Sequence, residues 1–263
     1  MSVRKRFGQH FLEADWVDRV VDAIAPAPDD LFLEIGPGRG ALTLALARRV
    51  KRLVAVEIDR DLASALSALV PAHVRVVAAD FLQADAERLI EPGQRIRVAG
   101  NLPYNISTPI LFRLLTLAQD GRRISDATLM LQREVAERLA SRPGTGEWGV
   151  LSACQQLRAR VDVRLALPPG AFRPAPRVHS AVVRVTYQAP NPPVRSVETF
   201  EAVVRSMFTQ RRKMLSNALA SFATARGAEP AHALAAADID PRRRPETLAV
   251  AELVRLADVF ASA

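Results

Sequence analysis

Asn101-Leu-Pro-Tyr104 combines an amide, a rigid backbone and an aromatic ring within four consecutive residues. Pro103 has a fixed φ and no N–H, so it holds Leu102 extended and leaves nearby carbonyls free to accept hydrogen bonds. The Asn101 side-chain oxygen and a backbone carbonyl, at Leu102 or Pro103, could accept both N–H bonds of an exocyclic amine such as N6 of adenine. Tyr104 could stack on that base. The stretch therefore predicts an acceptor site for a flat amine; the alternative is a turn that caps a helix beginning near Ser107.

A glycine turn followed by an acidic residue forms a second group that could bind a ligand. Gly36-Pro-Gly-Arg-Gly40 lies between an apolar run and a helical pattern. Glycines in such a turn let the backbone approach a ligand closely, and Gly36 and Gly38 are the two expected to do so. Glu57, with Ile58 beside it, comes 21 residues after Gly36, near the spacing at which an acid binds ribose hydroxyls. These residues predict a nucleoside-like cofactor.

Asp80 and Phe81 follow the next apolar run and extend this group. Asp80 could accept a hydrogen bond from a cofactor adenine, and Phe81 could flank the adenine ring. The alternative for Asp80 is an N-cap of the following helix, and Asp59 and Asp61 are expected to cap a helix in the same way.

Four short apolar runs read as buried strands that end at these residues: Leu31–Ile35, Leu53–Glu57, Val74–Ala79 and Arg95–Gly100. In an open α/β sheet, ligands bind outside the carboxyl ends of the strands, so the pattern predicts a doubly wound, Rossmann-like sheet with a ligand crevice. A dinucleotide site would carry the spacing G-x-G-x-x-G. Here the third glycine comes one residue early, which fits a cofactor without a pyrophosphate better.

Composition limits the class of protein. The chain has 263 residues, 49% of them hydrophobic, with a formal net charge of +8 and a sequence pI of about 10.8, so a polyanionic partner is expected. Its single cysteine, Cys154, excludes a disulfide framework, and the histidines show no metal-ligand spacing, so no metal is expected. No apolar run reaches the ~18 residues of a membrane span. We expect a cytoplasmic protein with no membrane contact.

The second half predicts further strands, then a helical domain. Helices are expected at 134–140 and 151–160, and segments 161–167 and 178–187 are expected to form a closing antiparallel pair. The prolines on either side of Phe172 could hold its ring out as a second aromatic wall for a flipped base; the alternative is a plain loop with a buried phenylalanine. A proline-rich linker at 188–195 separates a first domain, 1–187, from a small all-helical domain, 196–263.

Basic residues are concentrated in three places. Arg4, Lys5 and Arg6 form an N-terminal arm, which could contact phosphates or could simply be solvated. Only Asp162 opposes the arginines between residues 156 and 185, which are Arg158, Arg160, Arg164, Arg173, Arg177 and Arg184. A third group comprises Arg211, Arg212 and Lys213, which Arg242 to Arg244 could extend. The three groups predict a surface for nucleic acid.

Taken together, these motifs resemble the S-adenosylmethionine-dependent ribosomal RNA adenine N6-methyltransferases, and more narrowly the 16S rRNA adenine N6,N6-dimethyltransferases. The resemblance covers nearly the whole chain. It implies S-adenosylmethionine as cofactor and methyl transfer to N6 of two adjacent adenosines in a hairpin loop near the 3′ end of 16S rRNA, during small-subunit biogenesis. It implies cofactor contacts at His10, Leu12, Gly36 and Glu57, adenine recognition at Asp80, and the reactive site at Asn101, in a protein expected to act as a monomer.

Two positions depart from the pattern of this family. The family usually has asparagine at the position of His10, so an imidazole must remake the polar contact there. It commonly has tyrosine at the position of Trp148, which bears on local packing.

Two other functions remain open from the sequence. One is the related 23S rRNA methyltransferase that confers macrolide resistance. Leu102 and Thr108-Pro109 favour the small-subunit enzyme over this alternative. The other is a ribosome-assembly factor that binds nucleic acid without methyl transfer. The presence of Asn101-Leu-Pro-Tyr104 together with Glu57 and Asp80 argues against a lost activity.

Overall fold

The computed structural model describes residues 10–85, 89, 95–119 and 124–261. The predicted basic arm, Arg4 to Arg6, lies outside these residues. The described strands are β1 (Phe11–Leu12), β2 (Leu31–Ile35), β3 (Arg52–Glu57), β4 (Val74–Ala78), β5 (Ile96–Asn101), β6 (Ile124–Gln132), β7 (Ala159–Leu167), β8 (Phe172–Arg173) and β9 (Ser180–Tyr187). The described helices are α1 (Ala14–Ile24), α2 (Ala41–Ala47), α3 (Arg60–Ser67), α4 (Ser107–Gln119), α5 (Arg133–Leu139), α6 (Val150–Arg158), α7 (Val197–Phe208), α8 (Leu215–Ala218), α9 (Ala220–Thr224), α10 (Pro230–Ala236) and α11 (Val250–Ala261).

Seven strands form one sheet in the order β4-β3-β2-β5-β6-β9-β7. The strands from β4 to β6 pair in parallel, and β9 pairs antiparallel with β6. Strands buried on both faces read as continuous apolar runs, which is why β2, Leu-Phe-Leu-Glu-Ile, was recognisable from the sequence. The predicted doubly wound α/β sheet with a closing antiparallel strand is confirmed.

The carboxyl ends of β2, β3 and β5 lie at the same edge of the sheet. Ile35 pairs with Val56 on one side and with Gly100 on the other, so the residues that follow these strands emerge together. Gly100 permits this spacing, since a Cβ at Gly100 would lie 2.5 Å from the Ile35 carbonyl oxygen. The parallel register therefore gathers the turns that carry Gly36, Glu57 and Asn101 at one edge.

Most predicted boundaries agree with the structure to within one or two residues, and two of these small differences are informative. The predicted helix 151–160 ends at Arg158, and Arg160 belongs to β7. Strand β5 runs through Asn101 instead of ending at Gly100. Asp59 caps α3 as expected, because its Oδ1 accepts hydrogen bonds from the backbone N–H groups of Asp61 and Leu62 at 2.9 and 3.3 Å.

Contacts divide the chain into two compact units, Met1–Ala136 with Val161–Tyr187, and Glu137–Arg160 with Gln188–Ala263. The sequence-based division also changes unit at residue 187, but it put residues 137–160 in the first domain. They belong to the second unit because α6 packs against α7. The Arg158 carbonyl also accepts a hydrogen bond from the backbone N–H of Gln188 at 2.9 Å. The second unit is therefore discontinuous in sequence.

Among the described residues, no helix combines the length and apolar character that crossing a membrane requires.

Candidate functional site

A cavity of about 560 Å³ opens at the carboxyl edge of the sheet in the first unit. Its walls come from the glycine turn, the ends of β3 and β4, the segment after β5, and the N-terminal strand β1. The structure brings together there the predicted cofactor residues His10, Leu12, Gly36, Gly38, Glu57, Ile58, Asp80 and Phe81, and the predicted acceptor residues Asn101, Leu102, Pro103 and Tyr104.

The glycine turn between β2 and α2 is held in a shape that other residues would disturb. Gly38 has a φ of 57°, and a Cβ there would lie 3.0 Å from the ring of Phe11. Gly40 has a φ of 83°, and its Cβ would lie 2.3 Å from a methyl group of Leu66. The turn thus presents bare backbone to the cavity.

Glu57 is tied to this turn. Its Oε2 accepts a hydrogen bond from the Gly38 N–H at 2.9 Å, and its Oε1 accepts one from the Asp59 N–H at 3.0 Å. Burial raises the pKa of Glu57, while backbone hydrogen bonds from Asp59, Gly38 and Ile58 oppose the shift and the charge of Asp59 adds to it. Each carboxylate oxygen can accept a further hydrogen bond, so a pair of vicinal hydroxyls could be held there.

Glu34, on β2, is a wall residue that the sequence analysis missed as a functional candidate. It is 1% exposed, and its Oε2 is buried with no hydrogen-bond partner among the described residues. Burial raises its pKa to about 8, with a nearby Thr43 hydroxyl opposing the shift and the charge of Glu57 adding to it. Glu34 is therefore mostly protonated at neutral pH. A charged residue inside an otherwise apolar strand was the signal that could have identified it.

Asp80 caps the turn that follows it and also lies in the cavity wall, where its predicted ligand contact stays a prediction. Its Oδ1 accepts a hydrogen bond from the Leu82 N–H at 2.9 Å, which caps the following turn, and its side chain also lines the cavity. Phe81 beside it is 5% exposed and forms part of the wall. One carboxylate oxygen, Oδ2, is left to face a ligand.

The Asn101 amide is oriented by the N-terminal segment. Its Nδ2 donates a hydrogen bond to the His10 carbonyl oxygen at 2.6 Å, so Oδ1 is the atom left as an acceptor. The Pro103 carbonyl already accepts a hydrogen bond from the Ile106 N–H at 3.1 Å. Of the two backbone acceptors left open by the sequence, this geometry favours the Leu102 carbonyl.

The Tyr104 ring is fixed at both ends. Its hydroxyl lies 2.8 Å from the Ser180 Oγ, and its ring stacks on the imidazole of His10 with centroids 5.3 Å apart and planes inclined by 27°. Burial raises the pKa of the Tyr104 hydroxyl, so it stays neutral. Tyr104 is thus a rigid aromatic surface on the cavity wall.

The N-terminal segment closes over the cavity through Phe11 as well. The Arg39 guanidinium lies 4.4 Å from the centre of the Phe11 ring, on the glycine turn. Strand β1 pairs antiparallel with β8, Phe11 opposite Arg173 and Leu12 opposite Phe172. A segment of four residues thereby touches three parts of the site.

The interpretation of Phe172 as an exposed aromatic wall is wrong. Its side chain is 3% exposed and packs in the core with Val20, Leu46 and Val182. The pairing of β8 with β1 turns the ring inward. Its neighbour Arg173 is the residue that lines the cavity, and it pairs with Glu13 at 2.7 Å.

The arginine group of the second half is also smaller than predicted. Arg158 is 5% exposed and forms an ion pair with Glu201, so it is a structural residue of the second unit. Arg184 lies 3.5 Å from Asp126 and donates a hydrogen bond to the Ala23 carbonyl at 3.1 Å. The members on the surface are Arg160, Arg164, Arg173 and Arg177.

The group from Arg211 to Lys213 lines a cavity of about 660 Å³ in the second unit. Arg211 pairs with Glu246 at 2.7 Å, while Arg212 and Lys213 are exposed. Cys154 is fully buried, and burial raises the pKa of its thiol to about 12, which agrees with an inert side chain. Trp148 is likewise fully buried.

The sheet order, the glycine turn and the acids at the strand ends define a Rossmann-like methyltransferase fold. A crystal structure of a dimethyladenosine transferase from Plasmodium falciparum shares this fold with a TM-score of 0.75 at 22% identity, covering 94% of this chain and 96% of that one. A crystal structure of the 23S rRNA methyltransferase ErmE has a TM-score of 0.69 at 27% identity, covering 95% and 99%.

Within this class, the chain belongs to the ribosomal RNA adenine dimethylase family, whose model matches residues 1–262. A protein of Pseudomonas aeruginosa named Ribosomal RNA small subunit methyltransferase A is 44% identical over 262 residues, covering 98% of this chain and 94% of that protein. The protein of the same name from Bordetella petrii is 46% identical over 268 residues, covering 100% and 97%. The family resemblance seen in the sequence is confirmed.

Proposed function

We propose that this protein transfers methyl groups from S-adenosylmethionine to N6 of two adjacent adenosines in a hairpin loop near the 3′ end of 16S rRNA, giving N6,N6-dimethyladenosine. The observation that carries the proposal is the Asn101 amide. Its Nδ2 donates to the His10 carbonyl, so its Oδ1 is left as an acceptor on a cavity wall that Leu102 and Tyr104 also line. This is the arrangement that a flat amine with two N–H bonds requires.

The cavity suits the proposed cofactor. About 560 Å³ lies within the usual range of small-molecule sites. Glu57 offers acceptors for ribose hydroxyls, Asp80 Oδ2 offers one for an adenine amine, and Phe81 supplies an apolar surface for the ring. The turn at Gly36 and Gly38 has no side chains that would exclude the rest of the cofactor. Leu12 contributes an apolar side chain to the cavity wall.

S-adenosylmethionine would supply a methyl group on a sulfonium, which would leave as a neutral thioether when its bond to the methyl group breaks, and the displaced N6 proton would pass to solvent. The chain's own residues would act on the acceptor. Adenine N6 is a poor nucleophile because its lone pair is delocalised into the ring. By accepting both N–H bonds, Asn101 Oδ1 and the Leu102 carbonyl would favour a pyramidal nitrogen with its lone pair directed out of the ring plane. Tyr104 would hold the base by stacking.

RNA contacts are proposed for the basic surface residues. These are Arg160, Arg173, Arg177, Arg212 and Lys213, with the arm at Arg4, Lys5 and Arg6. Arg211 would contribute through the part of its guanidinium not engaged by Glu246. We propose that the protein acts as a monomer on the small subunit or its precursor, in the cytoplasm where such particles assemble.

The two alternatives are less well supported. The relatives at 44% and 46% identity carry the small-subunit name, whereas ErmE is 27% identical. A factor without methyl transfer would not need Asn101, Glu57 and Asp80 to face one cavity.

Labelled S-adenosylmethionine and unmethylated 30S or 50S particles separate the three functions. Incubation with the purified protein, followed by mapping of the label, should place it on two adjacent adenosines of 30S particles. Label on 50S particles alone would favour the 23S enzyme. Binding to 30S particles without transfer would favour the assembly factor. The same assay on Asn101→Ala tests the role of the Asn101 amide. Asn217→Ala, a substitution at an exposed residue of the second unit, is its matched control.

A further inference from the structure

His10 is held against the acceptor side of the cavity by three contacts. Its imidazole stacks on Tyr104 with a centroid distance of 5.3 Å. Its Nδ1 lies 2.6 Å from the Pro174 carbonyl oxygen, and because a carbonyl can only accept, Nδ1 carries the proton. Its own carbonyl accepts the Asn101 Nδ2 hydrogen bond at 2.6 Å. Two of these contacts hold the ring and the third holds its backbone in the conformation of the free protein.

These contacts place the imidazole where an acceptor base needs space. The Tyr104 hydroxyl is hydrogen-bonded to Ser180, which favours this position of the ring, and the imidazole covers part of one ring face. Imidazole has the shape of the five-membered half of a purine. The backbone carbonyl of the same residue bonds the Asn101 amide, which the proposed mechanism uses to hold N6.

We propose that the His10 imidazole occupies the face of Tyr104 on which the acceptor adenine stacks, and that the incoming base displaces it. The inference rests on the proposed function. It assigns the His10 side chain to the acceptor base, whereas the family resemblance implied a cofactor contact. Asparagine has no ring to stack on Tyr104, so His10→Asn removes the stack.

Displacement has a measurable consequence. An aromatic pair and a neutral hydrogen bond are each modest contributions, so their loss must be offset by binding of the base. Removing the imidazole should lower the KM for RNA roughly three- to tenfold, the size expected for one aromatic contact. The effect should fall on KM and not on kcat, because the contact is broken before the chemical step.

The test compares His10→Asn and His10→Ala with His232→Asn, an exposed histidine of the second unit. Methyl transfer to 30S particles gives KM and kcat for RNA, and calorimetry gives the affinity for S-adenosylmethionine. We expect the His10 variants to lower the RNA KM while cofactor affinity changes less than about twofold, and the control to match the wild type. An unchanged or higher RNA KM would overturn the proposal. A large loss of cofactor affinity with no change in RNA KM would return His10 to the cofactor.

Nuclear magnetic resonance gives a second reading that needs no variant to be active. In the free protein, stacking on Tyr104 should shift the His10 ring protons upfield, with the resonance assigned from the spectrum of His10→Asn. Addition of an RNA hairpin that contains the acceptor adenosines should remove that shift. A His10 resonance that does not move in an RNA complex contradicts displacement. If the wild type transfers no label to any particle, the proposed function fails, and the spectrum of the free protein still decides whether the stack exists.

Discussion

Polar side chains that line the cavity are held in place by backbone groups of the chain. Asn101 illustrates this, since the Nδ2 of its amide is bonded to the His10 carbonyl and its Oδ1 is left as an acceptor. Glu57 is similar, because backbone N–H groups hold its carboxylate at the edge of the cavity that it lines. The predictions at this scale separate loss of chemistry from loss of structure.

Asn101→Ala should fold and bind RNA but transfer methyl groups at least ~100-fold more slowly. In the proposed mechanism the amide interaction would be stronger in the transition state than in the ground state, and loss of one preorganised group of this kind costs ~10²- to 10³-fold in kcat. Single-turnover transfer and a thermal melt measure the two effects, with Asn217→Ala as control. If the variant melts early and its folded fraction reacts at the wild-type rate, Asn101 is a turn-forming residue.

Glu57→Ala should weaken cofactor binding by roughly 1 to 3 kcal/mol, the range for stranding a hydrogen-bonded partner. The variant also leaves the Gly38 N–H without its acceptor, so Glu57→Gln is the matched comparison that keeps one acceptor oxygen. Isothermal calorimetry with S-adenosylmethionine checks both. Unchanged affinity in Glu57→Ala would remove Glu57 from the cofactor site.

Glu34 makes stability depend on pH. Its pKa is raised from 4.5 to about 8 in the folded protein, so the folded chain binds more protons than the unfolded chain between those values. Its contribution to the free energy of unfolding therefore falls as pH rises through this window. Glu34→Gln should remove that fall, and its gain over the wild type should grow to the order of a few kcal/mol by about pH 8.

Denaturant unfolding at about pH 5, 6.5 and 8 measures this gain, with the exposed Glu229→Gln as control. A wild-type and Glu34→Gln difference that is constant across the range would mean that Glu34 stays ionised in the folded protein.

At the scale of elements, position in a strand or helix decides what a basic residue can do. Arg158 and Arg160 are two residues apart in sequence, yet the first ends α6 with its side chain buried against Glu201 and the second lies exposed in β7. Charge counted along the chain does not distinguish them. In strand β8, likewise, Phe172 is buried although its ring was expected to be exposed, and Arg173 is exposed.

RNA affinity should fall steeply with salt, because each phosphate contact releases counterions. Replacing Arg4, Lys5 and Arg6 together with alanine should flatten the dependence of log affinity on log salt and leave cofactor affinity alone.

Arg158→Ala should instead keep the slope and lower the free energy of unfolding, because it leaves Glu201 without its buried partner. Filter binding across salt concentrations and denaturant unfolding test the pair. An unaltered slope in the triple variant would mean that the arm is only solvated.

For the whole molecule, the discontinuous second unit is the main consequence of the tertiary structure. Residues 137–160 leave the first unit in the middle of the chain and pack with α7. The buried face of α7 comprises Phe200, Val203, Val204 and Met207. A cut at the proline-rich linker therefore does not separate two complete domains.

A variant that ends at Tyr187 should be less soluble and melt at a lower temperature than the full chain, because it exposes the apolar face of α6 that α7 covers. Each buried aliphatic or aromatic side chain contributes about 1.5 to 3 kcal/mol, so the loss is large. Thermal melting and sedimentation compare it with a variant that ends at Ala261. A soluble 1–187 chain that melts cooperatively at the full-length temperature would show that the predicted linker is a true domain boundary.

The sequence by itself determined the features that depend on local pattern. The apolar runs of β2, β3 and β4 identified the parallel strands, and the turn residues after them identified the edge of the sheet where ligands bind. The prediction succeeded for β2 and β3 because strands buried on both faces are mostly apolar, and the site edge followed because parallel strands bring their carboxyl ends together. Asn101, Glu57 and Asp80 could be found in this way without knowledge of their contacts.

Only the tertiary structure decided which side chains face the ligand and which face the core. The burial of Phe172 depends on pairing with Leu12, 160 residues earlier. The ion pair of Arg158 joins two helices, and the Asn101 amide takes its orientation from the carbonyl of His10. Each of these contacts links residues far apart in sequence, and no local periodicity encodes such a pair. The physical reason is that a side chain's exposure is set by what the folded chain brings against it.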